Sequence, residues 1–341
     1  MRYLRRNKNF VNLAYSKLKT LRDPCTLRVL NPNYMRIAVI DLGTNTCNLL
    51  VAEIINGNYN ILHQSKQMVK LGDDKIRDNE ISPAATERTT QSFLAHKQII
   101  DKMKVDRVIA LATSAVRTAE NRSEFLEELG EKSGWLVKVI QGEKEAGLIF
   151  KGVLLAFQNF DNPSLILDIG GGSNELILAQ NRDIIWKESQ PTGMARVINR
   201  FKLSDPIRAE EIKDLQEYFA GHHSQAIKNC REYEVVSLIG CSGAFDTIAD
   251  IIDGADPGVK QRTTQEIRLE DFNLVYKKLV GSTREERLHM KGMDFVRVDL
   301  IVPAVILIEK LVREIGIKKI IQTDFALREG VLFELMEKNR G

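Results

Sequence analysis

The sequence predicts an α/β protein built from two similar halves. Apolar runs of strand length alternate with amphipathic helical segments from Arg36 onward, and two stretches share one pattern. The first is IAVIDLGTNTCNLLVA (37–52) and the second is SLILDIGGGSNELILA (164–179). Both have an apolar strand, an aspartate, a glycine-containing turn and a second apolar strand. A chain of 341 residues is long enough for two such domains.

The N-terminal arm (1–35) differs from the rest of the chain in charge. It has eight Lys or Arg and one acid, which is +7, so the remaining residues sum to −4 against a net charge of +3. Such an arm can contact nucleic acid or anionic lipid, or serve as an organellar transit peptide. The breaker Asn31-Pro32-Asn33 and the following Met35 favour a fold that begins at Arg36, with the arm disordered or not translated. We expect no nucleic-acid contact, no membrane contact and no catalytic role for it.

The first half of the body predicts a regular order of elements. Its helix over 82–102 begins with Ser82 as N-cap and Pro83 at the first helical position. The other predicted elements are strands in 36–55 and 59–71 joined by a turn at 56–58, strands at 106–113 and 138–140, and helices at 120–133 and 142–157. The second glycine-rich stretch restarts this order. We therefore expect domain I at 36–160, completed by a C-terminal helix at 325–341, and domain II at 161–324.

Composition excludes several classes of protein. No apolar run reaches the length of a membrane span. The four cysteines show no C-x-x-C spacing, so neither a zinc site nor a disulfide framework is indicated, and a reducing, cytoplasmic location is expected. The five histidines are scattered, and the adjacent pair His222-His223 is interpreted as surface, not as metal ligands.

The repeat predicts two phosphate-binding turns. Superposing the stretches aligns Asp41 with Asp168, Gly43 with Gly170, and Thr46 with Ser173. Glycines let backbone N–H groups turn toward a ligand and hydroxyls add donors, which makes an anion-binding concavity. One such turn is usually only a hairpin, but two acid-bearing copies favour a site. The predicted phosphate-binding residues are Gly43, Thr44, Asn45, Thr46, Gly170, Gly171, Gly172 and Ser173.

Other phosphate folds do not match. A dinucleotide fingerprint requires G-x-G-x-x-G at a helix start, but Glu175 stands at the last position and a strand follows. A Walker loop requires Gly-Lys-Ser/Thr, which is absent from the sequence. The pattern is more similar to two ribonuclease-H-like domains facing each other across a phosphate-binding cleft. Actin, sugar kinases and heat-shock chaperone ATPases have this architecture.

Two further residues are candidates for chemistry in the cleft. Glu145 precedes Ile149 by one turn and is in line with the apolar stripe of its helix, which predicts partial burial. Burial raises a carboxyl pKa toward the working pH, so Glu145 is the candidate general base, whereas Glu143 suits a first-turn acid that favours the helix dipole. Arg117 follows a buried strand in a loop, where an arginine can bind phosphate or remain solvated.

These segments together resemble the exopolyphosphatase/guanosine pentaphosphate phosphohydrolase (Ppx/GppA) family from about Arg36 to Leu332. The matching motifs are VIDLGTNTCNLLV, ALATSAVRTAENRSEFL, VIQGEKEAGLIFKGV, LILDIGGGSNELIL, GCSGAFDTIA and DFALREGVL. The resemblance implies an actin-like phosphohydrolase that uses Mg²⁺ to remove terminal phosphate from inorganic polyphosphate or from guanosine pentaphosphate (pppGpp).

The resemblance also implies roles for single residues. Glu145 matches the catalytic base and Arg117 the phosphate-binding arginine. Asp41, Asp168 and Glu175 match acids that line the metal and water site. Two or three carboxylates around Mg²⁺, with waters and phosphate completing the shell, is its usual arrangement.

Three departures from the family pattern affect these expectations. The segment 144–147 lacks an arginine that the family often has, which removes one contact but keeps the base. The segment 240–244, GCSGA, replaces a more glycine-rich loop and weakens the case for nucleotide binding. The sequence after LREG is short, so the additional C-terminal domains of longer members are not expected. The open alternatives are an exopolyphosphatase, a pppGpp phosphohydrolase and a non-catalytic actin-like sensor, each with a homodimer left open.

Overall fold

The computed structural model describes residues 34–72, 79–157 and 160–338, so the arm through residue 33 lies outside the described residues. The strands are β1 (Tyr34–Leu42), β2 (Thr46–Ile55), β3 (Asn58–Met68), β4 (Arg107–Ala112), β5 (Val137–Val139), β6 (Phe160–Ile169), β7 (Asn174–Asn181), β8 (Asp183–Gln190), β9 (Ser237–Cys241), β10 (Gln265–Ile267) and β11 (Lys319–Thr323).

The helices follow the order that the alternating pattern predicts. They are α1 (Pro83–Lys102), α2 (Ser114–Thr118), α3 (Arg122–Ser133), α4 (Gly142–Phe157), α5 (Met194–Phe201), α6 (Ala209–His222), α7 (Ser224–Glu232), α8 (Gly243–Asp253), α9 (Leu269–Val280), α10 (Arg284–Leu288), α11 (Ile301–Ile315) and α12 (Leu327–Lys338). None of the helices in these described segments has the length and apolar composition needed to cross a membrane.

Two sheets that share a five-strand topology form the framework, and the second has an additional edge strand, β10, antiparallel to β11. The first has the strand order β3-β2-β1-β4-β5 and the second has β10-β11-β9-β6-β7-β8. In each sheet an antiparallel three-stranded meander comes first, and parallel strands then add beside its first strand. β6 therefore occupies in the second sheet the place of β1 in the first. This duplication confirms the predicted α/β fold of two ribonuclease-H-like domains.

Strand β1 already includes Tyr34 and Met35, two residues before the predicted start at Arg36. Tyr34, not Arg36, begins β1, where it pairs with Ile55 and is almost fully buried. The predicted helix over 82–102 is confirmed, because the Ser82 hydroxyl accepts a hydrogen bond from the Ala85 N–H at 3.2 Å. The pattern missed α2, a five-residue helix, in what it treated as a loop.

Helix α4 lies in one core with elements of both sheets. Its buried side chains Ile149 and Val153 belong to a cluster that includes Ile37 of β1 and Ile166 of β6. The C-terminal helix α12 packs closely on α4. A side chain at Gly152 would have its Cβ 1.9 Å from the Ala326 carbonyl oxygen, so only glycine permits this approach. The same cluster therefore holds the helix of the predicted base and joins the two sheets.

Candidate active site

The first strands of the two duplicated hairpins, β1 and β6, end at the same cavity. Asp41 lies near the end of β1 and faces its strand partner Asn48, while Asp168 lies near the end of β6 and faces Glu175. Residues opposite each other on antiparallel strands share one face of the sheet. The structure therefore brings Asp168 and Glu175 together, as the resemblance implied.

Each of the turns after the two aspartates is closed by a backbone hydrogen bond at the same position. The Gly43 N–H donates to the Thr46 carbonyl at 2.9 Å, and the Gly170 N–H donates to the Ser173 carbonyl at 3.0 Å. The turns face each other across a narrow gap. A Cβ at Gly172 would be 2.5 Å from Thr44 Oγ1, so a side chain there would intrude on the first turn. The four predicted residues of each turn are thus opposed in space.

A cavity of about 90 Å³ lies between the turns. Every predicted site residue except Arg117 lines it: Asp41, Gly43, Thr44, Asn45, Thr46, Glu145, Asp168, Gly170, Gly171, Gly172, Ser173 and Glu175. Two buried donors in its wall have no partner among the described residues, the amide nitrogen Nδ2 of Asn45 and the guanidinium Nε of Arg297. A buried donor without a partner is costly, and an anion in the cavity would satisfy it.

Glu145 reaches this cavity from the first turn of α4 and is only 7% exposed. Arg117 NH1 donates to Glu145 Oε2 at 2.9 Å and to the Ile140 carbonyl at 2.9 Å. Arg117 lies in α2 and not in a loop, which corrects the sequence-based expectation. In this structure Arg117 therefore contacts the candidate base instead of the cavity itself.

The site concentrates carboxyl groups whose pKa values are raised. Burial, followed by repulsion from Glu175, raises the pKa of Glu145 well above its usual value, although Arg117 opposes the rise. Burial, followed by repulsion from Asp168, raises the pKa of Glu175 to about 7. Burial also raises the pKa of Asp41, and it raises that of Asp168 to about 6. Four acids close together, of which Glu145, Asp168 and Glu175 are buried and Asp41 is partly exposed, favour a bound proton or a cation.

Mg²⁺ fits part of the predicted ligand set. Both Asp41 and Asp168 line the cavity, and a pair of carboxylates with waters and phosphate oxygens suits this ion. Glu175 is already engaged, because its Oε1 accepts hydrogen bonds from Ser173 Oγ and Ser189 Oγ, both at 2.7 Å. Across the three described ranges, no group of three or more His, Cys, Asp or Glu residues is arranged to hold a metal. Asp41 and Asp168 therefore fit the ion better than all three acids together.

Sequence reasoning missed seven cavity residues: Asn48, Thr113, Ser114, Ile169, Ser242, Arg297 and Leu327. Asn48 had a signal, since the repeat aligns it with Glu175. Ser242 belongs to the segment GCSGAFD, whose role was left open. Arg297 had none, because it precedes α11 and matches no part of the repeat. The prediction that the histidine pair lies on the surface was wrong for His223, which is fully buried and pairs through Nε2 with Thr192 Oγ1 at 3.2 Å.

A second cavity of about 380 Å³ adjoins the first and shares Asp41, Asp168 and Arg297 with it. Its lining has five basic residues, Lys66, Lys260, Arg262, Arg297 and Arg328, and four further acids, Asp246, Asp250, Asp294 and Asp324. It is large enough to accommodate the remainder of a ligand whose terminal group lies between the turns.

The fold consists of two ribonuclease-H-like domains, and its cavity has opposed anion-binding turns and a buried carboxyl group. These features define an actin-like protein that acts on phosphate groups. The sequence model of the Ppx/GppA phosphatase family matches residues 50–339, and the chain belongs to this family. The predicted enzyme class, a hydrolase acting on phosphoanhydride bonds, is confirmed with it.

Individual relatives agree with this assignment. Exopolyphosphatase 2 of Mycobacterium tuberculosis is 26% identical over 88% of this chain and 98% of the relative. The bifunctional 3-dehydroquinate synthase/phosphatase of Fusobacterium nucleatum is 28% identical over 89% of this chain but 47% of the relative, so the chain spans about half the length of that protein.

Solved structures extend the similarity to the whole fold. An exopolyphosphatase from Cytophaga hutchinsonii has 36% identity and a TM-score of 0.85, covering 89% of this chain and 98% of that one. The Aquifex aeolicus Ppx/GppA enzyme has 26% identity and a TM-score of 0.75, covering 88% of this chain and 99% of that one.

Proposed function

We propose that the protein is a Mg²⁺-dependent exopolyphosphatase that hydrolyses the terminal phosphoanhydride of inorganic polyphosphate. The observation that carries the proposal is a buried carboxyl group, Glu145, at the wall of a cavity that two opposed anion-binding turns enclose. The names of relatives from Mycobacterium tuberculosis and Cytophaga hutchinsonii support the same activity.

The terminal phosphate lies between the turns, where backbone N–H groups and the Asn45 amide donate to its oxygens. Arg117 holds Oε2 of Glu145, so Oε1 is left to accept a proton from the attacking water. The water oxygen bonds to phosphorus, its proton passes to Glu145, and the bridging P–O bond breaks. The shortened chain leaves with the bridging electron pair, and phosphate is the second product. No strong general acid is needed, because polyphosphate is a good leaving group.

Asp41 and Asp168 would hold Mg²⁺, which would supply positive charge next to the phosphate oxygens. Glu175, which lies opposite Asp168 and is fixed through Oε1 by two serines, keeps its second oxygen to orient water.

The adjoining cavity favours polyphosphate over a nucleotide. Among the described residues that line it, none is aromatic, so no ring stacks on a base there. Its five basic residues suit an extending phosphate chain, although the six acids of the lining, Asp41 and Asp168 among them, offset their charge. This balance favours short chains over long ones.

A pppGpp phosphohydrolase is the second candidate. The same cavity contains Asp246 and Asp324, and burial raises the pKa of Asp324 to about 6. Carboxyl oxygens can accept hydrogen bonds from the N–H groups of a guanine edge. The non-catalytic sensor is less well supported, since the candidate base is present.

Location and domain limits are further parts of the proposal. Cys47, Cys230 and Cys241 are free and buried, which suits a reducing, cytoplasmic environment. We assign 36–160 with 325–341 to one domain and 161–324 to the other, because α12 packs on α4 beside the first sheet. Residues 339–341 lie outside the described part of the chain.

Replacing Glu145 tests the mechanism. Glu145→Gln keeps the size of the side chain but cannot accept the proton of water, so kcat on polyphosphate falls by about 10²–10⁴-fold. Glu143→Gln, on the exposed face of the same helical turn, is the matched control and keeps kcat. Arg117→Ala removes the partner that holds Glu145 Oε2, so it lowers kcat with little change in KM.

Phosphate release is measured from polyphosphates of several lengths and from pppGpp, with Mg²⁺ and with excess chelator. Normal kcat in Glu145→Gln would contradict the assignment of the base, and a higher kcat/KM for pppGpp would establish the second candidate. Full activity in chelator would overturn the metal assignment.

A further inference from the structure

The second phosphate-binding turn is fixed from behind by the start of α5. The Met194 N–H donates to the Gly170 carbonyl at 3.0 Å, and the Ala195 N–H donates to the Gly171 carbonyl at 2.9 Å. Arg196 Nε then donates to the Gly172 carbonyl at 3.0 Å. Three successive carbonyl groups of the turn are thus held by three successive residues.

This arrangement decides which way the turn presents its amides. The C=O and N–H of a peptide unit point in opposite directions. Because the carbonyl groups of the turn point toward α5, its N–H groups point toward the cavity that the turn lines. The backbone of Gly193 packs against Gly171 and Gly172 so closely that a Cβ there would be 2.4 Å from their carbonyl carbons. The start of α5 is therefore the support on which the anion site is built.

Arg196 does more than its two neighbours, because it also crosses the cleft. Its NH2 donates to Thr118 Oγ1 at 2.7 Å. Thr118 is the last residue of α2, next to Arg117, which contacts the candidate base. One guanidinium thus joins a carbonyl of the second turn to the helix that holds Arg117 and, through it, Glu145.

We propose that Arg196 is a positioning residue, which sets the distance between the second phosphate-binding turn and the Arg117–Glu145 pair. This inference rests on the proposed function for its catalytic consequence, since the turn holds the phosphate and Glu145 activates the water. Arginine suits the task because its planar fork donates in two fixed directions at once, whereas lysine carries one point of charge.

The substitutions separate positioning from simple folding. Arg196→Lys keeps the charge but loses the fork, and Arg196→Gln loses both. Thr118→Val removes the acceptor at constant shape, and Thr118→Ser is its matched control because it keeps the hydroxyl.

We expect Arg196→Gln to lower kcat by about 10²-fold, the size of effect that a 1 Å misplacement produces, with KM changed less than about threefold. The kcat of Arg196→Lys should be close to that of Arg196→Gln. Thr118→Val should lower kcat about tenfold, and Thr118→Ser should keep kcat near the wild-type value. In the double variant Arg196→Gln/Thr118→Val the loss equals that of Arg196→Gln alone, because one link has been cut twice.

Two kinetic outcomes overturn the inference. Additive losses in the double variant would show that Arg196 does not act through Thr118. A raised KM with unchanged kcat would make Arg196 a direct substrate contact.

Hydrogen exchange provides a readout that does not depend on turnover. Without substrate, Arg196→Gln and Thr118→Val should speed amide exchange in 168–175 and 114–118, while Thr118→Ser should not. Unchanged exchange in both segments would contradict the positioning role. Faster exchange in a protein whose wild type hydrolyses neither polyphosphate nor pppGpp would keep the inference and reject the proposed function.

Discussion

The two hairpins that form the site have the same backbone and different contents. Each has an aspartate near the end of its first strand and closes its turn with the same hydrogen bond. The first turn, however, carries the side chains of Thr44, Asn45 and Thr46, whereas the second consists mainly of glycine. The register position opposite the aspartate is Asn48 in the first hairpin and Glu175 in the second.

The comparison teaches that the duplication supplies a frame and that differences between the copies supply the chemistry. Asn48 donates to Asp41 Oδ2 at 3.3 Å and adds no charge. Glu175 adds a buried carboxyl group, which Ser173 and Ser189 hold in place. Only the first turn extends side chains into the gap, because the glycines of the second turn leave space for them.

The strongest way to break this comparison is to give the second turn a side chain. Gly172→Ala places its Cβ within 2.5 Å of Thr44 Oγ1, so the turns must separate and kcat/KM should fall about 10²-fold. Gly43→Ala adds the same methyl group to the one glycine of the first turn, where the nearest atom is 3.3 Å away, and it should cost only a few-fold. Steady-state phosphate release measures both, and equal losses would show that the turns are interchangeable.

A smaller effect is expected at the position where the hairpins differ in charge. Glu175→Gln keeps the shape and an acceptor for both serines but loses the negative charge, so kcat should fall roughly tenfold to 10²-fold. Asn48→Ala removes one long hydrogen bond and should cost about threefold. If Asn48→Ala were the more damaging of the two, the division of roles between the hairpins would be wrong.

The charge at the same position also makes stability depend on pH. The pKa of Glu175, about 7 in the folded protein, exceeds its unfolded value, so the folded state binds this proton more tightly. Its contribution to stability is therefore present at low pH and is lost as pH rises from about 4.5 to about 7. In metal-free buffer, Glu175→Gln should be the more stable protein at pH 8 and equal to wild type near pH 4.5, as denaturant unfolding will report. Parallel curves for the two proteins across this range would reject the shifted pKa.

The smallest expected effect is a shift of the acid limb of the pH–rate profile. Glu145 must be ionised to accept a proton, and repulsion from Glu175 contributes to its raised pKa. Removing that charge in Glu175→Gln lowers the pKa of Glu145, so kcat/KM should reach its plateau at a lower pH than in wild type. Asn48→Ala changes no charge and should leave the limb in place. A limb that moved in Asn48→Ala but not in Glu175→Gln would assign it to another group.

The sequence predicted the frame well because the frame follows local rules. Alternating apolar runs, the Ser82 cap and the repeat about Asp41 and Asp168 depend on residues close in the chain. The burial of Glu145 also followed from its place in a helical stripe. Asn48 could have been found within the aligned repeat, two residues after Thr46, where it is aligned with Glu175.

The rest depended on contacts between distant segments. Arg297 reaches the cavity from the loop before α11, and Arg196 reaches Thr118 across the cleft. No periodic pattern in the sequence indicates either contact. The burial of His223 was missed because it depends on Thr192, which only the tertiary fold brings near. The roles assigned to the individual site residues stay predictions until substitution tests them.

The close packing of α12 on α4 has a consequence for how the enzyme matures. The helix that carries Glu145 is synthesised well before the helix that covers its apolar side, and the two meet through Gly152 and Gly330. Contacts so distant in sequence form late, since the intervening chain must first be made and folded. A ribosome-bound chain that stops before Leu327 leaves this face of α4 without its cover, so catalytic competence and protection from aggregation arrive together once α12 has been made.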